Sequence, residues 1–131
     1  KELKKFNEPW IHFFRRSYEI MPHQYTRLGP AIRHANKLLS LENSTKPVLV
    51  LITDGKPTDL DPYEGSYGQQ DVRKALDEAK NKGINVLTLT ISDFDPASLK
   101  RTFERPCSIK NPDDFCRETF QFIWKMCFKS R

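Results

Sequence analysis

Apolar residues along this chain recur either every three to four positions, as in helices, or in short continuous runs, as in buried strands. Trp10, Phe13 and Phe14 repeat at helical spacing after a proline, so an amphipathic helix is predicted over residues 9–20. We expect its aromatic stripe to fill the core. A second helix is predicted to contain Pro30 in its first turn and to end before Lys46 and Pro47. Its apolar positions are Ile32, Ala35, Leu38 and Leu39.

Two apolar runs flank a third helical pattern. Residues 48–52 are typical of a central strand covered on both faces, and residues 84–91 predict a second strand. Between them, apolar residues repeat at helical spacing from Val72 to Ala79, and the pattern ends at Gly83. A strand, a helix and a strand in this order predict two parallel strands joined by a right-handed crossover. The predicted fold class is therefore α/β.

The last third of the chain is predicted to be helical. A short helix is expected over residues 96–103. The sequence Asn-Pro-Asp-Asp at residues 111–114 combines a cap residue, a first-turn proline and two acids, and it predicts a final helix that ends near Phe128. Apolar residues occupy nearly every face of that helix. This pattern is typical of a buried helix or of one that docks a partner, and burial is the favoured interpretation.

The composition indicates one folded domain. The 131 residues are 37% hydrophobic and 30% charged, and no apolar run approaches the roughly 20 residues of a membrane-spanning helix. The net charge of +5 is uneven, because residues 54–71 carry five acids and one base whereas residues 96–131 carry eight bases and four acids. An acidic loop on a basic body is expected. Because the first residue is not Met, an upstream portion is also expected.

Three cysteines, Cys107, Cys116 and Cys127, fit neither a disulfide framework nor a zinc cluster, because their number is odd and no Cys-x-x-Cys spacing occurs. The last two are eleven positions apart in one predicted helix, which separates them by about 16 Å and prevents a direct bridge. We therefore expect buried, unpaired thiols in a cytoplasmic protein.

The candidate chemistry lies where the first strand ends. Ligands of open parallel sheets gather outside the carboxyl ends of the strands, and Asp54 follows such an end. Thr26 precedes the second helix, where its hydroxyl can bind either the helix amides or a hard cation. Each residue also has a purely structural interpretation, as a turn aspartate or as a helix cap, so neither is specific alone.

Together these residues resemble the von Willebrand factor A domains. Thr-x-Leu-x-x-Ala-Ile at residues 26–32 and Thr-Asp-Gly at residues 53–55 are similar to the third and fourth segments of that family's metal-ion-dependent adhesion site. The longer stretch over residues 54–68, from Asp-Gly-Lys-Pro to Tyr-Gly, resembles the NorD-type branch, the nitric oxide reductase activation proteins. The resemblance covers residues 6–92.

The resemblance implies a Rossmann-like three-layer α/β/α fold with a mostly parallel sheet. It implies one N-terminally truncated, partial domain over residues 1–131, with its core at residues 6–92 and a C-terminal helical segment at residues 96–129. It also implies Mg²⁺ or Mn²⁺ held by an Asp-x-Ser-x-Ser segment, by Thr26 and by Asp54. No such segment occurs in this chain. Mg²⁺ and Mn²⁺ take about six oxygen ligands, and of the ligands that the resemblance implies this chain has only Thr26 and Asp54. We therefore expect weak or absent metal binding.

The implied function is protein binding without catalysis, through an acidic side chain of a partner that completes the coordination of the cation. The implied partners are a MoxR-type AAA+ ATPase and a target enzyme, nitric oxide reductase, with no nucleic acid and no direct membrane insertion. No Gly-rich phosphate loop occurs in the chain, so ATP hydrolysis would belong to the ATPase. Five loop residues are candidates for the rim of the partner-binding face, although the acids also fit a solvated surface and the tyrosines also fit packing of the loop. They are Asp59, Asp61, Tyr63, Glu64 and Tyr67.

Two other functions stay open. A metal-dependent phosphohydrolase would bind Mg²⁺ through Asp54, Asp59 and Asp61, but no nucleophile or base adjoins them in a recognised arrangement. Nucleic-acid binding by basic residues of the last third is the other alternative, for which a solvated charged face is the simpler interpretation. These basic residues include Lys100, Arg101, Arg105 and Lys110.

Overall fold

The computed structural model describes residues 2–21, 26–55, 63, 65–91, 96–103 and 106–128. Helices and strands alternate through most of this range, and each predicted helix and strand is present. The α/β class with a parallel sheet is confirmed. The elements are α1 (Trp10–Ser17), α2 (Leu28–Ser40), β1 (Val48–Thr53), α3 (Gly65–Asn81), β2 (Asn85–Thr90), α4 (Pro96–Thr102), β3 (Pro106–Ser108) and α5 (Pro112–Phe128).

The described strands form one parallel sheet in the order β1-β2-β3. Thr53 of β1 lies opposite Thr90 of β2, which in turn lies opposite Ser108 of β3. The carboxyl ends of the three strands are therefore level with one another. The third strand was not predicted, because three residues are too few to show a periodic pattern.

One face of the sheet is covered by α2, α3 and α4. Buried side chains of this layer form one cluster, and Leu49 and Leu51 of β1 pack against it. Phe103, which follows α4, belongs to this cluster although it lies beyond the predicted core range of residues 6–92. The cluster consists of Leu28, Ile32, Val72, Ala75, Leu99 and Phe103.

A second cluster defines the direction of α2 across the sheet. Near the end of α2, Leu39 is buried together with Ala79 of α3 and with Ile84, which directly precedes β2. Leu49 and Val86, near the starts of β1 and β2, pack against these residues. Leu28, at the start of α2, belongs instead to the cluster that Leu51 contacts, two residues further along β1. The helix therefore runs antiparallel to β1, so its N-terminus lies at the carboxyl end of the strand.

β1 is an edge strand among the described residues, which corrects the prediction of a central strand covered on both faces. Most of its residues are only half-buried, and Ile52 is 50% exposed. Leu89 of β2, opposite Ile52, is fully buried. An apolar run predicts a strand in an apolar environment, but it does not identify the neighbours that cover that strand.

The aromatic faces of α1 and α5 are exposed, which corrects the expectation that both would be buried. Trp10 and Phe14 of α1 are mostly open to solvent, and α1 packs closely on no other described helix or strand. On α5, the exposed ring of Trp124 lies between those of Phe120 and Phe128, with its centroid 5.9 Å from the first and 4.3 Å from the second. Helical spacing predicted each apolar face correctly, but only tertiary packing decides whether another element covers it.

The two cysteines whose side chains are described are free thiols. Cys116 is exposed, so its predicted burial is wrong, whereas Cys107 is partly buried and this burial raises the pKa of its thiol. The side chain of Cys127 lies outside the described part of the chain. Over the residues that are described, no helix has the length and apolar character needed to cross a bilayer.

Candidate site at the carboxyl end of the sheet

The predicted site begins where the chain leaves β1. Thr53 is buried, and its Oγ1 accepts a hydrogen bond of 3.0 Å from the amide of Gly55. Gly55 has a φ of 88°, in the left-handed region that glycine adopts readily. The bond and this φ together form a tight turn directly after the strand. Asp54, between the two residues, is exposed just beyond the end of the sheet.

Thr26 lies at the same end of the domain. It is exposed and precedes Leu28, the first residue of α2, by two positions. Because α2 runs antiparallel to β1, the start of the helix and the carboxyl end of the strand share one edge of the fold. The structure therefore places Thr26 and Asp54 at the same end of the sheet.

The N-terminus of α2 is capped by a side chain from a distant part of the chain. Arg27, at the N-cap position, makes no capping hydrogen bond with its side chain. Instead, the Gly29 amide donates a hydrogen bond of 3.1 Å to the hydroxyl of Tyr63, which donates one of 2.5 Å to Oδ2 of Asp71 in α3. Tyr63 thereby satisfies one of the first-turn amides that a helix leaves unpaired, and it joins α2 to α3.

Arg33 extends this network one helical turn further along α2. Its Nη1 donates a hydrogen bond of 2.7 Å to Oδ1 of Asp71, and its Nε donates one of 2.8 Å to Oε2 of Glu78. Both carboxylate oxygens of Asp71 are thus engaged, one by Arg33 and the other by Tyr63. We call Gly29, Arg33, Tyr63 and Asp71 the α2–α3 clamp.

The clamp shifts the pKa values of its members. Burial raises the pKa of Tyr63 to about 12, and the hydrogen bond to Asp71 acts in the same direction. Burial alone would also raise the pKa of Asp71, but the hydrogen bonds from Tyr63 and Arg33 and the charge of Arg33 hold that pKa below its usual value. Hydrogen bonds to Glu78 and Asp71 raise the pKa of Arg33. At neutral pH the clamp therefore joins a neutral phenol, a carboxylate and a guanidinium ion.

We expect the clamp to lose part of its stabilising effect at alkaline pH. A tyrosine in an unfolded chain loses its proton near pH 10, whereas in the folded protein the pKa of Tyr63 is about 12. The unfolded state therefore releases this proton first, and the stabilisation that is complete below about pH 10 is lost as the pH rises toward 12. Urea unfolding at a series of pH values should show a steeper alkaline loss for the wild-type chain than for Tyr63→Phe. Identical pH profiles for the two proteins would contradict this expectation.

The two tyrosines proposed for the partner-binding rim have different environments. Tyr63 is only 4% exposed, so its assignment to an exposed rim is corrected, and of its two predicted roles packing is the one observed. Tyr67 is 64% exposed, and its ring meets that of Tyr63 edge to face with centroids 5.7 Å apart. The three acidic rim candidates, Asp59, Asp61 and Glu64, lie outside the described residues.

Sequence reasoning did not identify Gly29, Arg33 and Asp71 as members of this site. Arg33 and Asp71 are 38 positions apart, and a contact between two separate helices leaves no periodic signal in the sequence. The available signal was helical phase, because Gly29 and Arg33 are one turn apart and therefore share a face of α2.

The described residues supply part of a metal-binding shell. The Thr26 hydroxyl and the Asp54 carboxylate are oxygen ligands of the kind that Mg²⁺ and Mn²⁺ prefer. In the described ranges, no group of three or more His, Cys, Asp or Glu side chains is arranged to hold a metal ion. A cation at this edge would need further oxygen ligands, for example from water or from a bound partner.

The described residues favour neither the phosphohydrolase nor nucleic-acid binding. The phosphohydrolase needs Asp59 and Asp61, and one of the basic residues proposed for nucleic acid is Arg105, all of which lie outside that part. Lys100 and Lys110 are exposed, as lysines on any solvated surface are.

Known proteins resemble this chain over most of its length. A family model described as von Willebrand factor type A domain matches residues 12–120. The chain is 45% identical to Protein NorD of Stutzerimonas stutzeri over 92 residues, which are 70% of the chain and 15% of that protein. It is 43% identical to Protein NorD of Brucella suis and 42% identical to that of Brucella abortus, in each case over 86 residues, 66% of the chain and 14% of the relative. The chain thus spans only 14% to 15% of the length of these relatives. No solved structure matches it.

Proposed function

Because this chain belongs to the von Willebrand factor type A domain family, we propose that it is a metal-dependent protein-binding module of a NorD-like accessory protein and not an enzyme. The observation that carries the proposal is the common position of Thr26 and Asp54 at the carboxyl end of the parallel sheet. Similarity to NorD proteins over about two thirds of the chain supports the accessory role.

In the proposed mechanism, Thr26 and Asp54 would together hold a Mg²⁺ or Mn²⁺ ion weakly, and an acidic side chain of the partner would supply a further oxygen ligand. A carboxylate that contacts a cation interacts more strongly once the approaching surfaces exclude water. Since Thr26 and Asp54 would supply only two of the roughly six oxygen ligands, a partner carboxylate would strengthen the hold on the cation. By thermodynamic reciprocity, the partner then binds better when the cation is present.

The proposed partners are a MoxR-type AAA+ ATPase and the enzyme that this ATPase remodels, nitric oxide reductase. Their support is the similarity to NorD proteins, and because the chain spans 14% to 15% of those proteins, its share in the process is the binding step. The ATPase would hydrolyse ATP, and the present domain would present the target. Free thiols at Cys107 and Cys116 support a cytoplasmic location.

We expect Asp54→Ala to remove the metal-dependent part of partner binding. The substitution deletes the one carboxylate of the proposed pair, so affinity for the purified ATPase or reductase should fall about tenfold or more in Mg²⁺. Biolayer interferometry in Mg²⁺ and in EDTA measures this change. Wild-type protein should bind more tightly in Mg²⁺, and Asp54→Ala should bind equally weakly in both buffers.

Asp77→Ala is the matched control, because Asp77 is an exposed aspartate on α3 and its loss changes the net charge equally. This variant should bind like the wild type in both buffers. Partner binding that is the same in Mg²⁺ and EDTA, and that survives Asp54→Ala, would rule out the metal-dependent mechanism. Metal-dependent phosphate release that Asp54→Ala abolishes would favour the phosphohydrolase instead.

A further inference from the structure

We infer that Tyr63 is a positioning residue for the proposed cation ligands. Its hydroxyl, held between the Gly29 amide and the Asp71 carboxylate, sets the position of the start of α2, and with it Thr26, relative to Asp54. This inference rests on the proposed function, because it concerns the same site. It adds a residue whose side chain is buried and which touches neither the cation nor the partner.

Tyr63 is connected to Asp54 along the chain and to Thr26 through the hydrogen bond from Gly29. It lies in the connection from β1 to α3, nine positions after Asp54. The amide that donates to its hydroxyl belongs to Gly29, three positions after Thr26. The hydroxyl is therefore a direct link between the chain segment that follows one ligand and the helical turn that follows the other.

This link is well suited to hold a fixed geometry. Tyr63 is almost fully buried, so water has little access to compete for its hydroxyl. The hydroxyl accepts one hydrogen bond and donates another, and Arg33 holds Asp71 by its second oxygen. Arg27 follows Thr26 in the sequence, and its guanidinium lies 5.5 Å from the centroid of the Tyr63 ring. Buried supports of this kind orient the exposed ligands at metal sites.

The test is a Mn²⁺ titration of the chain followed by NMR. The paramagnetic ion should broaden the amide signals of Leu28 and Gly55, which lie within two positions of the ligands. Because two ligands bind weakly, the broadening should saturate only at high Mn²⁺ concentration, and it should vanish in Asp54→Asn. In Tyr63→Phe the ring keeps its packing but the hydroxyl is lost. We expect its dissociation constant for Mn²⁺ to rise about tenfold, as for other residues that support metal ligands. Tyr18→Phe is the matched control, because Tyr18 is 89% exposed, and its affinity should not change.

Two changes at Asp71 separate positioning from simple loss of charge. Asp71→Asn keeps an acceptor for the Tyr63 hydroxyl, whereas Asp71→Ala releases that hydroxyl. Positioning predicts that the alanine variant loses more Mn²⁺ affinity than the asparagine variant. These variants also carry the test if Tyr63→Phe does not fold. Equal losses for both would show that only the charge matters and would overturn the inference.

The remaining outcomes distinguish this inference from the proposed function. A purely stabilising role for Tyr63 predicts a lower free energy of unfolding in Tyr63→Phe with an unchanged Mn²⁺ dissociation constant. That result, in a variant whose amide spectrum shows it to be folded, overturns the inference and leaves the proposed function intact. Broadening that is absent from the wild-type chain, or that does not depend on Asp54, overturns the proposed function and the inference together.

Discussion

Gly29→Ala should destabilise the domain by about 2–3 kcal/mol. A Cβ atom at position 29 would lie 1.9 Å from Oδ2 of Asp71 and 2.8 Å from the hydroxyl of Tyr63. Asp71 can avoid this clash only by turning away, and it would then give up the hydrogen bonds from Tyr63 and Arg33. The expected loss is therefore the stabilising effect of the clamp, including a buried phenol left without its acceptor.

The sign of this change is informative, because alanine usually stabilises a helix relative to glycine by about 0.5–1 kcal/mol. Gly29 lies in the first turn of α2 and does not have a positive φ. A loss of stability would therefore come from the close contact with the clamp. Gly83→Ala is the matched control, because Gly83 has a φ of 72° and open space around its Cβ position. It should lose only about 1–2 kcal/mol from left-handed backbone strain.

Urea unfolding at neutral pH, followed by circular dichroism, measures both glycine variants against the wild type. Tyr63→Phe combined with Gly29→Ala provides a further check. If both changes act through the clamp, the double variant should be less destabilised than the sum of the two single variants. A Gly29→Ala protein as stable as the wild type would mean that α2 and α3 do not approach one another this closely.

Phe103→Ala should destabilise the domain more than any change in the clamp, by about 3–5 kcal/mol. Phe103 is 1% exposed and packs in the cluster that joins α2, α3 and α4 over β1. Removing its ring leaves a cavity bounded by side chains from several elements, which cannot all move inward to fill it. The same cluster contains Leu28, so we also expect the start of α2 to become less ordered.

Phe120→Ala is the matched control for Phe103→Ala, since it deletes the same atoms from a ring that is 65% exposed on α5. Its effect should stay within about 1 kcal/mol. Denaturant midpoints for the two variants give the comparison, and a single cooperative transition for each would show that residues beyond position 92 unfold together with the rest. Similar losses for Phe103→Ala and Phe120→Ala would place Phe103 outside the core.

The positions of the candidate ligands were predictable because they depend on local order along the chain. Asp54 follows an apolar strand and Thr26 precedes a helix, and parallel strands place their carboxyl ends at one edge of the sheet. The clamp was not predictable, because Tyr63 and Gly29 are 34 positions apart and meet only after α2 and α3 have packed together. Nothing in the local pattern around Tyr63 distinguishes it from Tyr67, although the first is buried and the second is exposed.

The sequence by itself determined which segments become helices and strands, the parallel pairing of β1 with β2, and the residue types at the ends of these elements. Those properties follow from spacing, capping and chain connection, which involve neighbours a few residues apart. Tertiary structure alone decided which apolar faces are covered. It left Trp10 and Trp124 exposed, buried Phe103, and placed Tyr63 as the link between α2 and α3. Burial depends on what packs against a surface from elsewhere in the chain, and hydrophobic spacing shows that a face is apolar without showing its neighbour.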